Sequence, residues 1–398
     1  MTALTSIDRI AVRSGVRASY AAFIMTGFAF ASWASRIPQV RDRLGLTLSE
    51  LGLLLLAIAA GALIAPPASG AIVARYGSRP TVAGMAVANG AALVVVAVGY
   101  QSGVAPVAVG LFVFGFTHGV WDVAMNVQGA LVERRLGRAI MSRFHAGFSV
   151  GTVAGALSGA GMVRLGVPVS GHLLVVGVLV AALVPPGVRG FLPDAAGGEG
   201  VAVDRAERRR RILTAWREPR TLLIGVLALA FAFAEGTGSD WVSVALIDGY
   251  GASQPVAALG FATFLGAMTV GRWFGPGLLD RYGRVPVLRV LSVVSLVGVL
   301  LFVFSGSTWV AFLGAVLWGA GLSLGFPVAM SAAADEPAMA AARVSVIASI
   351  GYCAFLAGPP LVGFLGDHLT VLRAVTSVAA LLVVAILLTG WTRPPAAT

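Results

Sequence analysis

The chain is expected to fold as an all-α membrane protein, with twelve transmembrane helices in two pseudo-symmetric six-helix bundles, and three observations carry that expectation. Hydrophobic residues make up 58% of its 398 residues against 11% charged, and the mean hydropathy is +0.91, far outside the range of soluble domains. Apolar runs of about 20 to 25 residues, the length that crosses about 30 Å of hydrocarbon, recur along the whole sequence. The tripeptide Arg75-Tyr76-Gly77 returns as Arg281-Tyr282-Gly283, 206 residues later, the kind of fixed offset that internal duplication leaves. A barrel is excluded, because its strands would be about ten residues long with strict inside/outside alternation, and no such alternation occurs.

The first half supplies spans near 17–37, 48–74, 80–100, 105–131, 141–163 and 168–188. The first follows Arg9, Arg13 and Arg17 as a signal peptide would. It is too long for an h-region, and eleven more runs come after it, so it reads as an uncleaved span. Trp33, Ser35 and Arg36 lie toward its far end. The second span ends at Arg75-Tyr76-Gly77 and the third enters at Pro80. The fourth contains Asp122, an acid inside an otherwise apolar run. The fifth carries glycines at 147, 151, 155 and 159, a spacing that lets helices approach closely. His145, one turn earlier, reads either as a gating or relay histidine or as a packed helix-end residue.

Residues 189–220 are rich in Gly, Pro and charge and include Arg208, Arg209, Arg210 and Arg211. They read as a solvated linker between a bundle at 1–188 and a second at 221–398, its basic stretch lying against lipid headgroups.

The second half supplies spans near 220–247, 254–279, 285–305, 308–332, 341–366 and 370–391. The seventh contains Glu235-Gly236-Thr237-Gly238-Ser239-Asp240-Trp241. Each glycine there costs about 1 kcal/mol against alanine in a helix, so a local break is expected. Arg272 lies within the eighth span. Gly325-Phe326-Pro327 in the tenth, beyond Trp318 and Ser323, and Gly358-Pro359-Pro360 in the eleventh are expected to bend their helices.

All 28 basic residues are arginines, and 22 of them fall in segments on one side of the predicted spans against five on the other. The positive-inside rule then puts both termini in the cytoplasm, as expected of a multi-pass protein of the bacterial inner membrane. The formal charge of +11 reads as topology and contact with anionic lipid, not as a nucleic-acid surface. The lone Cys353 allows no disulfide within the chain. There is no Walker loop, no Cys/His cluster with metal spacing and no nucleophile elbow, so neither an enzyme nor a metal or cofactor protein is expected.

Asp122 heads the candidate site. At about 100° per residue, His118, Trp121, Asp122, Met125, Asn126 and Gly129 fall in one stripe about 140° wide, while Val120, Val123, Ala124 and Val127 fill much of the remaining surface. Asp122 lies about 16 Å along the helix from Glu133 at the inner end, close to the midplane. An acid there costs several kcal/mol unless satisfied, and such residues mark transport pathways. A structural acid held by Arg or His is the competing reading. Glu235, about 21 Å from the inner start of its span, is the second candidate for proton coupling, and Asp240 lies nearer the outer mouth. Arg36 is positioned to meet Glu235, Asp240 or an anionic solute group, or else to snorkel to the interface. Arg272 reads as a gating residue that pairs with the following loop or with a group of the fourth or fifth span. Trp33, Arg36, His118, Trp121, Asn126, Asp240, Trp241 and Trp318 are the candidate solute contacts.

The loops after the second and eighth spans resemble the loop motif of the major facilitator superfamily, a glycine, three residues, then Asp-Arg-x-Gly-Arg. The first copy runs from Gly70 to Arg79 with Ala74 where the family has aspartate. The second reads Asp280-Arg281-Tyr282-Gly283-Arg284, with Pro276 in place of the leading glycine. The resemblance implies two bundles rocking about a midplane site, with the first, fourth, seventh and tenth spans lining it. It also implies a cytoplasmic latch built from Arg75, Arg79, Asp280, Arg281 and Arg284, weakened in the first half by Ala74.

The spacing of Asp122 and Asn126 is similar to the fourth helix of fucose and proton symporters, in which an acid couples protons and the site binds sugar. Their first-helix aspartate has no counterpart in 17–37. The fifth-span glycines resemble the antiporter motif, but Ala156 stands where that motif has proline. The expected function is secondary active transport of a small polar solute, such as a sugar, by alternating access and with protons, in a monomer whose partners are solute, protons and membrane lipids. A proton-driven efflux antiporter for drugs or metabolites is the alternative. A receptor or regulator that keeps the fold without transporting is the reading from another class.

Overall fold

The computed structural model describes residues 6–137, 140–194, 205–336 and 338–394. Arg138, the linker stretch 195–204 and the side chains of Arg9, Arg205 and Arg208, all counted in the charge pattern or linker above, lie outside that description. The chain packs as two compact units, Met1–Leu46 with Leu53–Ala196 and Thr47–Gly52 with Gly197–Thr398.

The first unit is built from α1 (Ser6–Ala34), α2 (Ile37–Leu44), α3 (Leu48–Tyr76), α4 (Ser78–Gly99), α5 (Val104–Leu136), α6 (Met141–Arg164) and α7 (Val169–Gly187). The second contains α8 (Arg205–Ala215), α9 (Pro219–Tyr250), α10 (Gln254–Tyr282), α11 (Arg284–Phe304), α12 (Thr308–Leu322), α13 (Gly325–Ala333), α14 (Ala340–His368) and α15 (Val371–Leu388). Eleven stretches among the described residues are long and apolar enough to cross a membrane, with α12 and α13 counted as one. The 29-residue α1 is the twelfth by position, its first half carrying Arg9, Arg13 and Arg17.

Two helices are interrupted, and proline explains where. The first span breaks at Ser35 and Arg36, with Pro38 in the first turn of α2, where its missing N–H is harmless. The tenth breaks at Ser323 and Leu324. Pro327 has no N–H to offer the Ser323 carbonyl four residues back, and that carbonyl accepts from Arg272 Nε at 3.4 Å instead.

The break expected at Glu235 to Trp241 is not there, since α9 runs unbroken through all seven residues. The reason is packing: a Cβ on Gly238 would strike the Phe264 ring of α10. That glycine makes room for an aromatic and leaves the helix intact.

The α6 glycines also have a packing role. Side chains at Gly151 and Gly155 would meet the backbone of Ile24 and Phe28, so the ladder is the seam along which α6 lies on α1. His145, at its start, sits edge-on to Phe23 with ring centroids 5.1 Å apart. The stretch expected as a linker is divided. Residues 189–194 pack with the first unit, and α8 lies on α14 of the second through Ala215, Ala342 and Val346. Within the second unit, the Asp367 carboxylate accepts from the backbone N–H groups of Leu48 and Ser49, both at 2.9 Å.

Candidate functional site

In the first unit, α5 carries the expected stripe, but its members have different fates. Asp122 is half-buried, and its one side-chain partner is Asn126, whose Nδ2 donates to the Asp122 carbonyl at 2.8 Å and to Oδ1 at 3.2 Å. No arginine or histidine pairs with this carboxylate among the described residues. One turn away, His118 is ringed by Phe30, Phe114 and Phe148, with centroids 5.8 to 6.5 Å apart, and its Nδ1 is buried without a hydrogen-bond partner.

Trp121 is fully buried. It sits at the edge of the stripe and turns into the packed interior, so its ring makes no solute contact in this conformation. Asn126 is engaged by Asp122.

The other tryptophans follow the same pattern. Trp33, Trp241 and Trp318 are at most 1% exposed, and Trp318 packs edge-on between Phe264 and Phe302 at 5.3 and 5.7 Å. These rings are packing residues. Their polar tips are another matter, because the indole N–H groups of Trp33, Trp121, Trp241 and Trp318 are all buried without a partner among the described residues. An unmet buried donor costs about 1 to 3 kcal/mol.

Arg36 is engaged within its own unit. It is 2% exposed at the break between α1 and α2, and its Nε donates to Nδ1 of His172 on α7 at 2.9 Å. A snorkelling role is also excluded by that burial. His172 was missed in the sequence, although the signal that marked His118, an imidazole in an apolar run, marks it equally.

In the second unit the charges of the spans pair. Arg272 Nη2 donates to both Glu235 oxygens, at 2.8 and 2.9 Å, while its Nε reaches the freed Ser323 carbonyl. Arg272 therefore links α9 to the break in α12/α13, instead of joining the following loop or a first-unit helix as expected. Charge-assisted contacts of this kind are about twice as strong as neutral ones, and Glu235 is fixed by them. Asp240, half-buried one turn and a half further on, has no hydrogen bond or ion pair among the described residues.

The expected latch is also redistributed. Arg75 and Arg281 are exposed and lie over the rings of Tyr76 and Tyr282, 5.3 and 5.1 Å from the centroids, while Arg79 and Asp280 are exposed. None of the four makes an ion pair among the described residues. Asp280 is exposed at the very end of α10, so the expected latch pairing is not made in this conformation.

Arg284 alone is engaged, at 2.7 Å from Asp335, which also binds Arg220 at 2.7 Å. In the first unit the acid missing at Ala74 is replaced by Asp194, which accepts from the Ser78 backbone N–H and hydroxyl, both at 2.6 Å. Buried Gln128 completes that turn, donating to Ser78 Oγ and the Leu192 carbonyl at 2.7 Å and accepting from Leu192 N at 3.2 Å. Gln128 was visible as an amide in an apolar helix. Asp194 gave no signal beyond following Pro193.

Twelve spans, an internal repeat and a mid-span acid have a counterpart among known families: the profile described as the Major Facilitator Superfamily matches residues 18–342. The chain belongs to the major facilitator superfamily. An uncharacterized MFS-type transporter of Yersinia pestis is 33% identical over 95% of this chain and 96% of its own. Among solved structures, a variant of the nucleoside transporter NupG superposes with a TM-score of 0.74 at 14% identity, covering 94% of this chain and 99% of that one. A D-xylose-proton symporter does so with a TM-score of 0.73 at 12% identity, covering 95% and 96%. At such identities these two structures speak for the fold alone. Membership makes the chain a multi-pass membrane protein of a transporter family, and not an enzyme.

Proposed function

We propose that this superfamily member is a secondary active transporter that moves a small, hydroxyl-bearing solute together with protons by alternating access, and that Asp122 is its proton carrier. The observation that carries the reading is the surroundings of Asp122: a half-buried carboxylate in mid-span that, among the described residues, has no cation beside it and is bonded only to Asn126. A carboxylate without a counter-ion in a membrane span changes state at least cost by taking up a proton. Glu235, paired with Arg272, remains the second candidate, and Asp240, without a partner among the described residues, is the third.

Two solved structures of this fold bear the names of a xylose-proton symporter and a nucleoside transporter, and both named solutes contain a pentose. The arginine bias favours a cytoplasmic-membrane protein with both termini inside.

The test is uptake into proteoliposomes of the full chain, with and without an imposed pH gradient, across a panel of pentoses, hexoses, nucleosides, organic acids and cationic drugs. Gradient-linked flux of a sugar or nucleoside is the expected result. Absence of gradient-linked flux for every solute in the panel would sink the proposal.

A further inference from the structure

Helix α8 is too short and too polar to span, and its two faces differ sharply. One face is used internally. Ala215 is fully buried against Ala342 and Val346 of α14, Ile212 packs beside it, and Arg211 bonds Glu207 and the Ala338 carbonyl at 2.8 and 2.9 Å. The other face is open. Arg209, Arg210, Leu213, Thr214 and Arg217 line an open pocket of about 550 Å3, and Leu213 and Trp216 are 50% and 43% exposed.

No acid balances this face among the described residues. Glu207 is taken by Arg211, and Glu218, just beyond the helix, by Arg343 at 2.6 Å. Three uncompensated guanidinium groups therefore stand beside an exposed leucine and tryptophan. Packing on α14 and the short connection to Pro219 hold them at the arginine-rich end of the spans, where headgroups lie.

We infer that the outer face of α8 is a binding site for an anionic phospholipid headgroup. The phosphate is held by Arg209, Arg210 and Arg217, while Leu213 and Trp216 enter the interface beside the first acyl carbons. This goes beyond non-specific attraction of a basic loop, because the site is one face of one helix, with Arg211 on the same helix excluded from it. An arginine near an anionic surface is worth about 1 kcal/mol, or about fivefold in affinity. The three together then give a preference on the order of a hundredfold. The inference does not depend on which solute is transported.

The experiment is native mass spectrometry of the purified full chain in detergent, titrated with phosphatidylglycerol or with phosphatidylcholine. The expected result is preferential retention of phosphatidylglycerol, lost on the order of a hundredfold in the triple variant Arg209→Gln, Arg210→Gln, Arg217→Gln. Arg211→Gln, which removes the same charge from the half-exposed pair with Glu207 beside α14, is expected to keep that retention within about twofold, because Arg211 is already engaged by Glu207 and the Ala338 carbonyl. Equal loss in Arg211→Gln and Arg210→Gln, unchanged retention in the triple variant, or displacement of the lipid by millimolar inorganic phosphate would each overturn the assignment. Equal melting temperatures of the triple variant and the parent chain are required for the comparison, and these solvent-facing substitutions leave the Ala215 contacts in place.

Discussion

Asp122 and Glu235 are the same chemical group at similar depth in α5 and α9, yet one is left with a neutral amide and the other is clasped by a guanidinium. Position along a span therefore does not decide what an intramembrane acid does; its neighbours decide. Asn126 satisfies Asp122 without neutralising it, so the cost of its charge stays in play and a proton can settle it. Arg272 removes that cost for Glu235 and uses the pair to tie α9 to the broken tenth span.

The largest effect that sharpens this contrast is expected from Asp122→Asn. Gradient-driven accumulation should fall to the equilibrium level, while exchange of solute across the membrane stays measurable, since only the proton carrier is removed. Tracer uptake and counterflow in the same vesicles separate the two. Retained accumulation in Asp122→Asn together with its loss in Asp240→Asn would move the proton carrier into the second unit.

Glu235→Gln should act on the fold first. It leaves Arg272, three-quarters shielded from water, without its counter-ion, and breaking a pair of this burial costs about 2 to 4 kcal/mol. Replacing both partners, Glu235→Leu with Arg272→Met, should recover most of that loss, because no buried charge remains. Thermal unfolding in detergent reads both. Should Glu235→Gln instead unfold like the parent chain and lose accumulation as Asp122→Asn does, the contrast between the two acids collapses.

The sequence carried Asp122 because an acid in an apolar run is a local anomaly, visible within one helix turn. The spans, their order and the repeat were legible for the same reason, as properties of neighbouring residues. Partners were not. Arg272 and Glu235 lie 37 residues apart and Arg36 and His172 136 apart, and whether they meet depends on the rotation of two helices about their axes, which hydropathy does not encode. Gly236 and Gly238 suggested a break because glycine is a poor helix former. The Phe264 ring that fills the space beside Gly238 belongs to another helix and could not be anticipated. Asp194 lay beyond any motif, so the turn it anchors looked degraded when only its acid had moved.

The two Arg-Tyr-Gly turns repeat the lesson on a smaller scale. The first is closed by Gln128 and Asp194, the second by Arg284, Asp335 and Arg220. Gln128→Ala should cost about 1 to 3 kcal/mol, because it orphans the buried Leu192 backbone groups, whereas Ser78 keeps its bonds to Asp194. Arg284→Gln, at a site closer to solvent, should cost under about 1 kcal/mol. Urea or thermal titration of the two variants ranks them, and the reverse ranking would mean that the charged turn, not the neutral one, is the stronger joint.

The smallest effect concerns pH at the corner between α8 and α9. The hydrogen bond from Arg343 holds the Glu218 carboxyl below its usual range, with the Thr221 hydroxyl adding to it at 2.7 Å. A carboxyl whose folded value is depressed stabilises the fold at every pH above its unfolded value, about 4.3. That contribution is lost as pH falls further, through the folded value. The corner is partly open to water, so screening keeps the contribution under about 1 kcal/mol. The difference in melting temperature between the parent chain and Glu218→Gln should therefore be flat from about pH 6 to 8 and shrink below about pH 4.3. Gln128, by contrast, contributes through an amide that does not titrate, so its bonds to Ser78 and the Leu192 backbone persist where the Glu218 pair fails. A Glu218→Gln difference that stayed constant down to pH values well below 4 would mean that Thr221 and packing, not Arg343, hold the corner. The base of α8 would then be fastened by the same kind of neutral contact as the first turn.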